Sequence, residues 1–437
     1  MVDPYIAVAL QTTVRHCAKR SEVEKNLTHI GNMVDLVCHI CSLELPVRLI
    51  ALGEGCIQGF ADEILHLSSA EYTATMAAEI PGWETEFLGN KAKQHGVFIL
   101  AQLKEKLPEY PDRFFNTVFL VDPHGKIVYK HRKNVVLFVE HSTTPHDVYD
   151  QWVKTHGDTL DTFFPVARTE IGNIGGSVGV EGSFPESYRG FALNGAEILY
   201  RASLPEPWVS RGIWDVQNRA RAADNTAYML APNCGALIMP GNPPTVIGGA
   251  LGGKSMIVGY KGEVLAQSTV VDDCYVASEI NIEALRNYRE NARFQNWLPY
   301  LRTEIYRKIY DQTIWPQNLP PMDDATRTCG RRRRSLKGGN RGKVWRGWAG
   351  RYGDSVAGGS GWVRWVGRVW AAGSSDRGGW RADAGELGGR PIPERRARAC
   401  GDAVSSRAWP PPVDDRRHRR TVFGCRAVGG VIMKCRS

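Results

Sequence analysis

Residues 172–201 read GNIGGSVGVEGSFPESYRGFALNGAEILYR, and this stretch decides the fold. The small, uncharged run at 174–180 predicts a buried strand, because neither of its faces carries charge. Pro185 suits the first turn of a helix, and Gly195 ends that helix. A second strand is predicted at 196–200. The stretch thus predicts a strand, a tight elbow, a helix and a strand, and α/β proteins place reactive groups at such strand ends.

The same alternation of strand and helix patterns runs through the first 322 residues. Apolar runs predict further strands near 5–11, 48–53, 97–103, 114–121, 126–131, 164–170, 227–232, 255–260 and 263–269. Stripes of apolar residues at helical spacing predict further helices near 23–40, 83–95, 211–224 and 281–290. Together with the hairpins among them, these elements predict a layered α/β domain with mixed sheets.

Three short motifs in the opening stretch resemble the nitrilase superfamily of carbon–nitrogen hydrolases. They are Phe-Pro-Glu at 184–186, the Tyr-Arg pair at 188–189 and NGAEIL at 194–199. The resemblance extends over about residues 4–315. It implies an αββα sandwich, in which two mixed sheets lie face to face with helices outside. It also implies a homodimer or a higher homo-oligomer.

In that family the strand before the elbow ends in Cys-x-Glu, and the cysteine is the nucleophile. The same register here reads Gly179-Val180-Glu181, so glycine occupies the cysteine position. A cysteine at 179 would introduce only modest strain, unless the backbone there has a positive φ.

Hydrolysis of an amide or nitrile through a thiol requires a nucleophile, a base and a cation. The resemblance assigns the base to Glu54, in LIALGEGCIQGF, and the cation to Lys133, in VYKHRKNVV. Glu140, in LFVEH, matches a supporting glutamate that holds the lysine or the substrate. Glu181 follows the nucleophile position, and we expect it to bind substrate as well. The alternatives are a solvated loop position for Glu54, a solvated Lys133 and a polar cap on the elbow for Glu181.

Because Gly179 has no side chain, another residue would have to attack the substrate. The candidates in neighbouring sequence or at other strand ends are Ser177, Ser183, Cys56 and Cys234. Ser177 points to the same face of its strand as position 179 but lies ~6.6 Å away, at ~3.3 Å per residue. No motif supports any of the four.

Two functions remain open. In the first, the protein is a carbon–nitrogen hydrolase of the amidase type that cleaves a small amide or nitrile with unusual chemistry. In the second, it binds a small amide, nitrile or acid without cleaving it. A pure scaffold is a weaker third interpretation, because a pocket with three charged groups is costly unless it is used. We expect a small-molecule ligand, no cofactor and no metal.

Composition changes near residue 323. Residues 323–437 contain 26 Lys and Arg against 10 Asp and Glu, whereas residues 1–322 contain 29 against 36. The tail also contains 21 of the 46 glycines and 7 of the 13 tryptophans, but only four leucines and isoleucines. So few aliphatic side chains cannot offset the entropy cost of ordering, which predicts a disordered tail after a 1–322 domain.

The arginine-rich tail has two interpretations. Arginine outnumbers lysine 23 to 3 there, which is typical of GC-rich coding DNA that is translated in the wrong frame. A frameshifted or mispredicted terminus is therefore one hypothesis. The other is a genuine arm that binds nucleic acid through charge and aromatic stacking. Residues 1–322 contain more acidic than basic residues, so nucleic-acid binding is not expected there.

The cysteine and hydropathy patterns indicate the cellular compartment of the protein. Six cysteines lie in residues 1–322, and a core-rich domain of that size does not need disulfides. Cys38-His-Ile-Cys41 lies on a helical pattern without a second ligand pair, so helix packing is favoured over zinc binding. No run approaches the ~20 apolar residues of a membrane span. We expect a cytoplasmic protein that does not bind membranes.

Overall fold

The structure is a computed structural model, and it describes residues 1–65, 67–137, 140–203, 212–240, 244–247, 252–311, 313, 315 and 317–319. The predicted tail at 323–437 lies outside the described residues. Within the described part of the chain, no helix is both long and apolar enough to cross a bilayer.

The strands of the described residues belong to three sheets. In sequence order they are β1 (Tyr5–Gln11), β2 (Val14–Arg15), β3 (Val47–Ala51), β4 (Phe98–Lys106), β5 (Phe114–Val121), β6 (Ile127–Arg132), β7 (Ala167–Thr169), β8 (Gly172–Val178), β9 (Ile198–Ala202), β10 (Tyr228–Ala231), β11 (Leu237–Met239), β12 (Thr245–Ile247), β13 (Met256–Val258), β14 (Val264–Gln267) and β15 (Cys274–Ile280).

The helices lie between these strands. They are α1 (Val23–Ile40), α2 (Ala61–Ile64), α3 (Ser69–Thr75), α4 (Trp83–His95), α5 (Tyr149–His156), α6 (Leu160–Phe163), α7 (Pro185–Leu193), α8 (Ile213–Asn225), α9 (Ile282–Asn291) and α10 (Thr303–Tyr306).

Two six-stranded mixed sheets dominate the fold. The first has the strand order β15-β1-β3-β4-β5-β6, and the second has the order β14-β13-β10-β9-β8-β7. In each sheet the central pairs are parallel, as in β1–β3–β4 and β8–β9–β10, and the outer pairs are antiparallel. A small third sheet has the order β12-β11-β2.

The two large sheets pack face to face. Alternate residues of each strand point to opposite faces, so one face of each sheet forms the central core. That core contains Ala7, Leu49 and Leu100 from the first sheet and Ile198 and Leu230 from the second. The predicted αββα sandwich therefore requires helices on both outer faces.

Helices cover both outer faces. Leu27 of α1 and Leu88 of α4 share a core with Val8 on the outer face of the first sheet. Phe191 of α7 and Trp214 of α8 share a second core with residues of β9 and β10. The predicted αββα architecture of two mixed sheets is confirmed.

Two predicted strands need correction, and one strand was missed. The strand predicted near 164–170 is shortened to β7, because Phe164 caps α6 and its N–H donates to Leu160 O. The strand predicted to run to Val180 ends at Val178, where a 3-10 turn, Gly179–Ser183, takes over. Strand β15 was not predicted, although its alternating sequence CYVASEI pairs antiparallel with β1 and completes the first sheet.

The predicted Cys-x-x-Cys motif lies at the end of α1. Cys38 is buried in the core between α1 and the first sheet, as the packing interpretation expects. Burial raises the pKa of the Cys38 thiol to about 12. In the part of the chain that the structure describes, no group of three or more His, Cys, Asp or Glu side chains is placed to hold a metal ion.

Candidate active site

The ends of three strands bring the predicted site residues together. Glu54 follows β3, Lys133 directly follows β6, and Gly179 directly follows β8. The first two belong to one sheet and the third to the sheet that faces it. The face-to-face packing thus places Gly179 opposite the two charged side chains.

Lys133 is buried between two glutamates. Its Nζ donates to Glu140 Oε2 at 2.6 Å and lies 3.6 Å from Glu54 Oε1. Burial alone would lower the pKa of Lys133, but the charges of Glu140 and Glu54 raise it above its usual value. The lysine is therefore held as an ammonium ion.

The two glutamates respond to this ammonium differently. Glu140 lies closer and also accepts from Ser142 Oγ at 2.6 Å, so its pKa falls to about 2 in spite of burial. Burial raises the pKa of Glu54 above its usual value, and the repulsion of Glu140 adds to that shift. Lys133 offsets the shift only partly. Glu54 is thus the carboxyl group that can exchange a proton, as a catalytic base requires.

Asn116 joins the two glutamates, and sequence reasoning did not identify it. Its Nδ2 donates to Glu54 Oε1 and to Glu140 Oε1, both at 2.9 Å. Gln102 Nε2 donates to Asn116 Oδ1 at 2.8 Å. Both amides are buried, Asn116 on β5 and Gln102 on β4, in strands where most residues are apolar. A buried polar residue in such a strand was the available signal.

The β5–β6 hairpin sets the position of Lys133. Its backbone N–H donates to Asn116 O at 2.9 Å, one step beyond the last ladder pair, Thr117 with Arg132. Asp122 Oδ1 accepts from the backbone of His124 and Lys126 and fixes the turn. The register of this hairpin therefore places Lys133 beside Asn116.

Gly179 lies against both charged groups. A Cβ at this position would be 2.8 Å from Lys133 Nζ and 3.0 Å from Glu54 Oε2. A side chain here would therefore point between the proposed base and the cation. Gly179 has a φ of +59°, the left-handed conformation that favours glycine. Modest strain was expected only if the backbone at residue 179 had no positive φ. A cysteine at this position is therefore strained.

Glu181 lies in the turn after Gly179 and is fully buried. Its Oε2 accepts from Ser177 Oγ at 2.5 Å and from Asn134 N at 3.0 Å, and it lies 3.3 Å from His131 Nε2. Burial alone would raise the pKa of Glu181, but His131 and these hydrogen bonds lower it. The carboxylate thus ties the elbow to the segment that carries Lys133.

The structure places the other candidate nucleophiles in unfavourable surroundings. Ser177 is fully buried and its hydroxyl donates to Glu181. Burial raises the pKa of Cys56 to about 12, and burial together with the charge of Glu54 also raises the pKa of Cys234. Ser183 is half-buried at the end of the elbow turn. Each of the two cysteines is therefore held as a neutral thiol.

The sequence profile of the carbon–nitrogen hydrolases matches residues 7–290. The chain belongs to the carbon–nitrogen hydrolase family. A beta-ureidopropionase from Arabidopsis thaliana is 24% identical over 254 residues, which are 56% of this chain and 59% of that protein. A deaminated glutathione amidase from Synechocystis is 28% identical over 234 residues, or 53% of this chain and 78% of that protein.

A solved carbon–nitrogen hydrolase structure agrees with the fold. The enzyme from Helicobacter pylori G27 superposes with a TM-score of 0.53 at 21% identity. The match covers 71% of this chain and 99% of that one. This likeness supports the αββα architecture and does not by itself identify a substrate.

Proposed function

We propose that this carbon–nitrogen hydrolase homologue binds a small amide, nitrile or carboxylic acid between Glu54, Lys133 and Gly179 without forming a covalent intermediate. The observation that carries the proposal is the position of a Cβ at 179, within 3.0 Å of both Lys133 Nζ and Glu54 Oε2. The family nucleophile would stand there, and glycine has no group to attack with. Glu140 and Glu181 complete the proposed site.

The charged groups supply both halves of amide recognition. The Lys133 ammonium is placed to donate to a carbonyl or nitrile, and Glu54 is placed to accept from an amide N–H. Three buried charged side chains are costly unless they are used, which favours a ligand over a pure scaffold. Glu140 keeps the ammonium in place through its 2.6 Å hydrogen bond.

Hydrolysis of the same ligands is the second candidate function. It is favoured by membership of the family and by Glu54, whose raised pKa suits a general base or acid. The relatives named above include an amidase. This chemistry would require Ser177, Ser183, Cys56, Cys234 or a water molecule to replace the thiol.

One experiment separates the two candidates. The full-length protein is screened by thermal shift with small amides, nitriles and carboxylates, and ammonia release is measured on the same compounds. Binding without ammonia supports the proposal. Ammonia release that Glu54→Gln and Lys133→Ala abolish supports hydrolysis at this site with another nucleophile. Ammonia release that survives both changes rules the site out.

We further propose that the protein is a cytoplasmic homodimer or higher homo-oligomer. The six cysteines of the described residues are all free thiols, which suits a reducing compartment. The family resemblance supports pairing of the outer helices. Nucleic acid is a partner only if the arginine-rich tail is genuine.

A further inference from the structure

A chain of hydrogen bonds with a fixed direction reaches Glu54 from the backbone. Gly55 N–H can only donate, and it donates to Gln102 Oε1 at 2.9 Å. The other end of the Gln102 amide must therefore be its donor nitrogen, which faces Asn116 Oδ1. The Asn116 nitrogen then points at the two glutamates. The hydrogen bonds therefore fix which end of each amide is oxygen and which is nitrogen.

This direction decides which glutamate oxygens are acceptors. Asn116 Nδ2 supplies one hydrogen to Glu54 Oε1 and the other to Glu140 Oε1. Glu140 Oε2 accepts from Lys133, so both oxygens of Glu140 are occupied. Glu54 Oε2 has no hydrogen bond within the described residues, and it lies 3.0 Å from the Cβ position of residue 179.

We propose that Asn116 is a positioning residue that keeps Glu54 Oε1 as an acceptor and so directs the proton of Glu54 to Oε2, the oxygen that faces the ligand. The inference rests on the proposed function for what binds there. When Glu54 is protonated, Oε2 donates to the ligand, which favours a carboxylate. When it is ionised, Oε2 accepts from the ligand, which favours an amide N–H.

The proposal therefore predicts that the site changes its ligand preference with pH. Several charged or titratable groups interact electrostatically with Glu54. They are Lys133, Glu140, Lys104, Glu63, Cys234 and Tyr200. Burial raises the pKa of Glu54, and the hydrogen bond from Asn116 lowers it. Removal of the Asn116 amide should therefore raise the pKa of Glu54 further.

The first test needs no ligand. Infrared difference spectra of the full-length protein follow the carboxyl band across pH, and the Glu54→Gln spectrum is subtracted to isolate Glu54. We expect Asn116→Ala to move the Glu54 midpoint to higher pH. Asn116→Leu matches the amide in size, removes both donors and adds no charge. It should shift the midpoint in the same direction, so it serves if the alanine variant does not fold.

Thr117→Val is the matched control, since Thr117 neighbours Asn116 on β5 and instead donates to Glu105. It removes a buried hydrogen bond of the same strand and should lower stability without moving the midpoint. Equal midpoints in the wild type and both Asn116 variants would overturn the proposal, and so would an equal shift in Thr117→Val.

The second test uses propionate and propionamide as matched ligands. We expect propionate to bind about tenfold more tightly below the Glu54 midpoint than above it, and propionamide to show the opposite trend. Glu54→Gln corrects for the titration of propionate itself. If the affinity for propionate does not change across the Glu54 midpoint, the proposal that the Glu54 proton lies on Oε2 is overturned. If neither ligand binds at any pH, the proposed function loses its support, and the infrared result still decides the role of Asn116.

Discussion

The Lys133 ammonium donates a hydrogen bond of 2.6 Å to the Glu140 carboxylate. Glu54, the proposed base, is 3.6 Å from the same ammonium. One positive charge faces two buried carboxylates. It stabilises the nearer carboxylate, Glu140, as an anion, and it offsets only part of the cost of burying a charge on the farther one, Glu54. Of these two carboxyl groups, Glu54 is therefore the one whose pKa is raised.

Glu54→Gln should stabilise the protein, and more so at higher pH. The raised pKa means that the folded state binds more protons than the unfolded state between the usual carboxyl pKa and the raised value. Stability therefore falls as pH rises through that window. We expect the substitution to add about 1–3 kcal/mol at pH 8 and less at pH 5, measured by urea unfolding.

Glu140→Gln is the matched comparison for that experiment. It removes the close partner of Lys133 and should cost about 3 kcal/mol at neutral pH. Because the pKa of Glu140 is lowered to about 2, its contribution is present above the usual carboxyl pKa and disappears as pH falls toward 2. Equal effects of the two substitutions would contradict the unequal ion pairs.

Glu181→Gln should destabilise the elbow. Glu181 Oε2 accepts from Ser177 and from the Asn134 backbone and lies beside His131, whereas Oε1 accepts from Asn134 Nδ2 at 3.3 Å. An amide can accept with only one of its two ends, so the substitution loses the acceptor at the other end and the negative charge beside His131. We expect a loss of about 3 kcal/mol at pH 7. Glu186→Gln, on the exposed first turn of α7, is the control and should cost about 1 kcal/mol or less. A similar small loss at Glu181 would show that the elbow does not depend on this carboxylate.

Gly179→Cys should create a thiol that iodoacetamide modifies. The nearby Lys133 favours the thiolate, although Glu54 opposes it. The positive φ makes the variant about 1–3 kcal/mol less stable than the wild type. Peptide mapping after alkylation locates the label, and weak ammonia release from simple amides is also expected.

Gly179→Ala separates backbone strain from thiol chemistry in that experiment. It should lose about the same stability and take no label at position 179. Lys133→Ala in the cysteine variant should slow alkylation at neutral pH. Alkylation at an unchanged rate would show that Lys133 does not act on the thiol.

Truncation after residue 322 should leave the domain folded with an unchanged melting temperature. The hydrogen bonds of the last described residues, from Asn318 N to His146 O and from Arg113 to Leu319 O, are kept in that variant. Calorimetry compares it with the full-length chain. A clear fall in melting temperature would mean that residues beyond 322 contribute to the fold.

The truncated domain should also be at least a homodimer with a two-fold interface. Light scattering at micromolar concentration gives the mass directly. A monomer mass over that range would count against the assembly expected from the family resemblance.

Much of this protein follows from the sequence alone. The apolar strand before Gly179, Pro185 at the start of the helix and Gly195 at its end are local signals, because each depends on short-range backbone preference. The same applies to the β5–β6 hairpin, whose turn is set by Asp122 and Gly125. The family resemblance predicted the site positions Glu54, Lys133 and Gly179.

Tertiary structure alone decided the electrostatics of the site. Gln102 and Asn116 are 14 residues apart, and they form a hydrogen-bonded chain to Glu54 only because β4 and β5 pair beside β3. The positive φ of Gly179 and the distances from Lys133 to its two glutamates likewise depend on how the strand ends meet. Sequence patterns report the local preferences of a segment, whereas pKa values depend on charges, burial and hydrogen bonds that distant segments bring together.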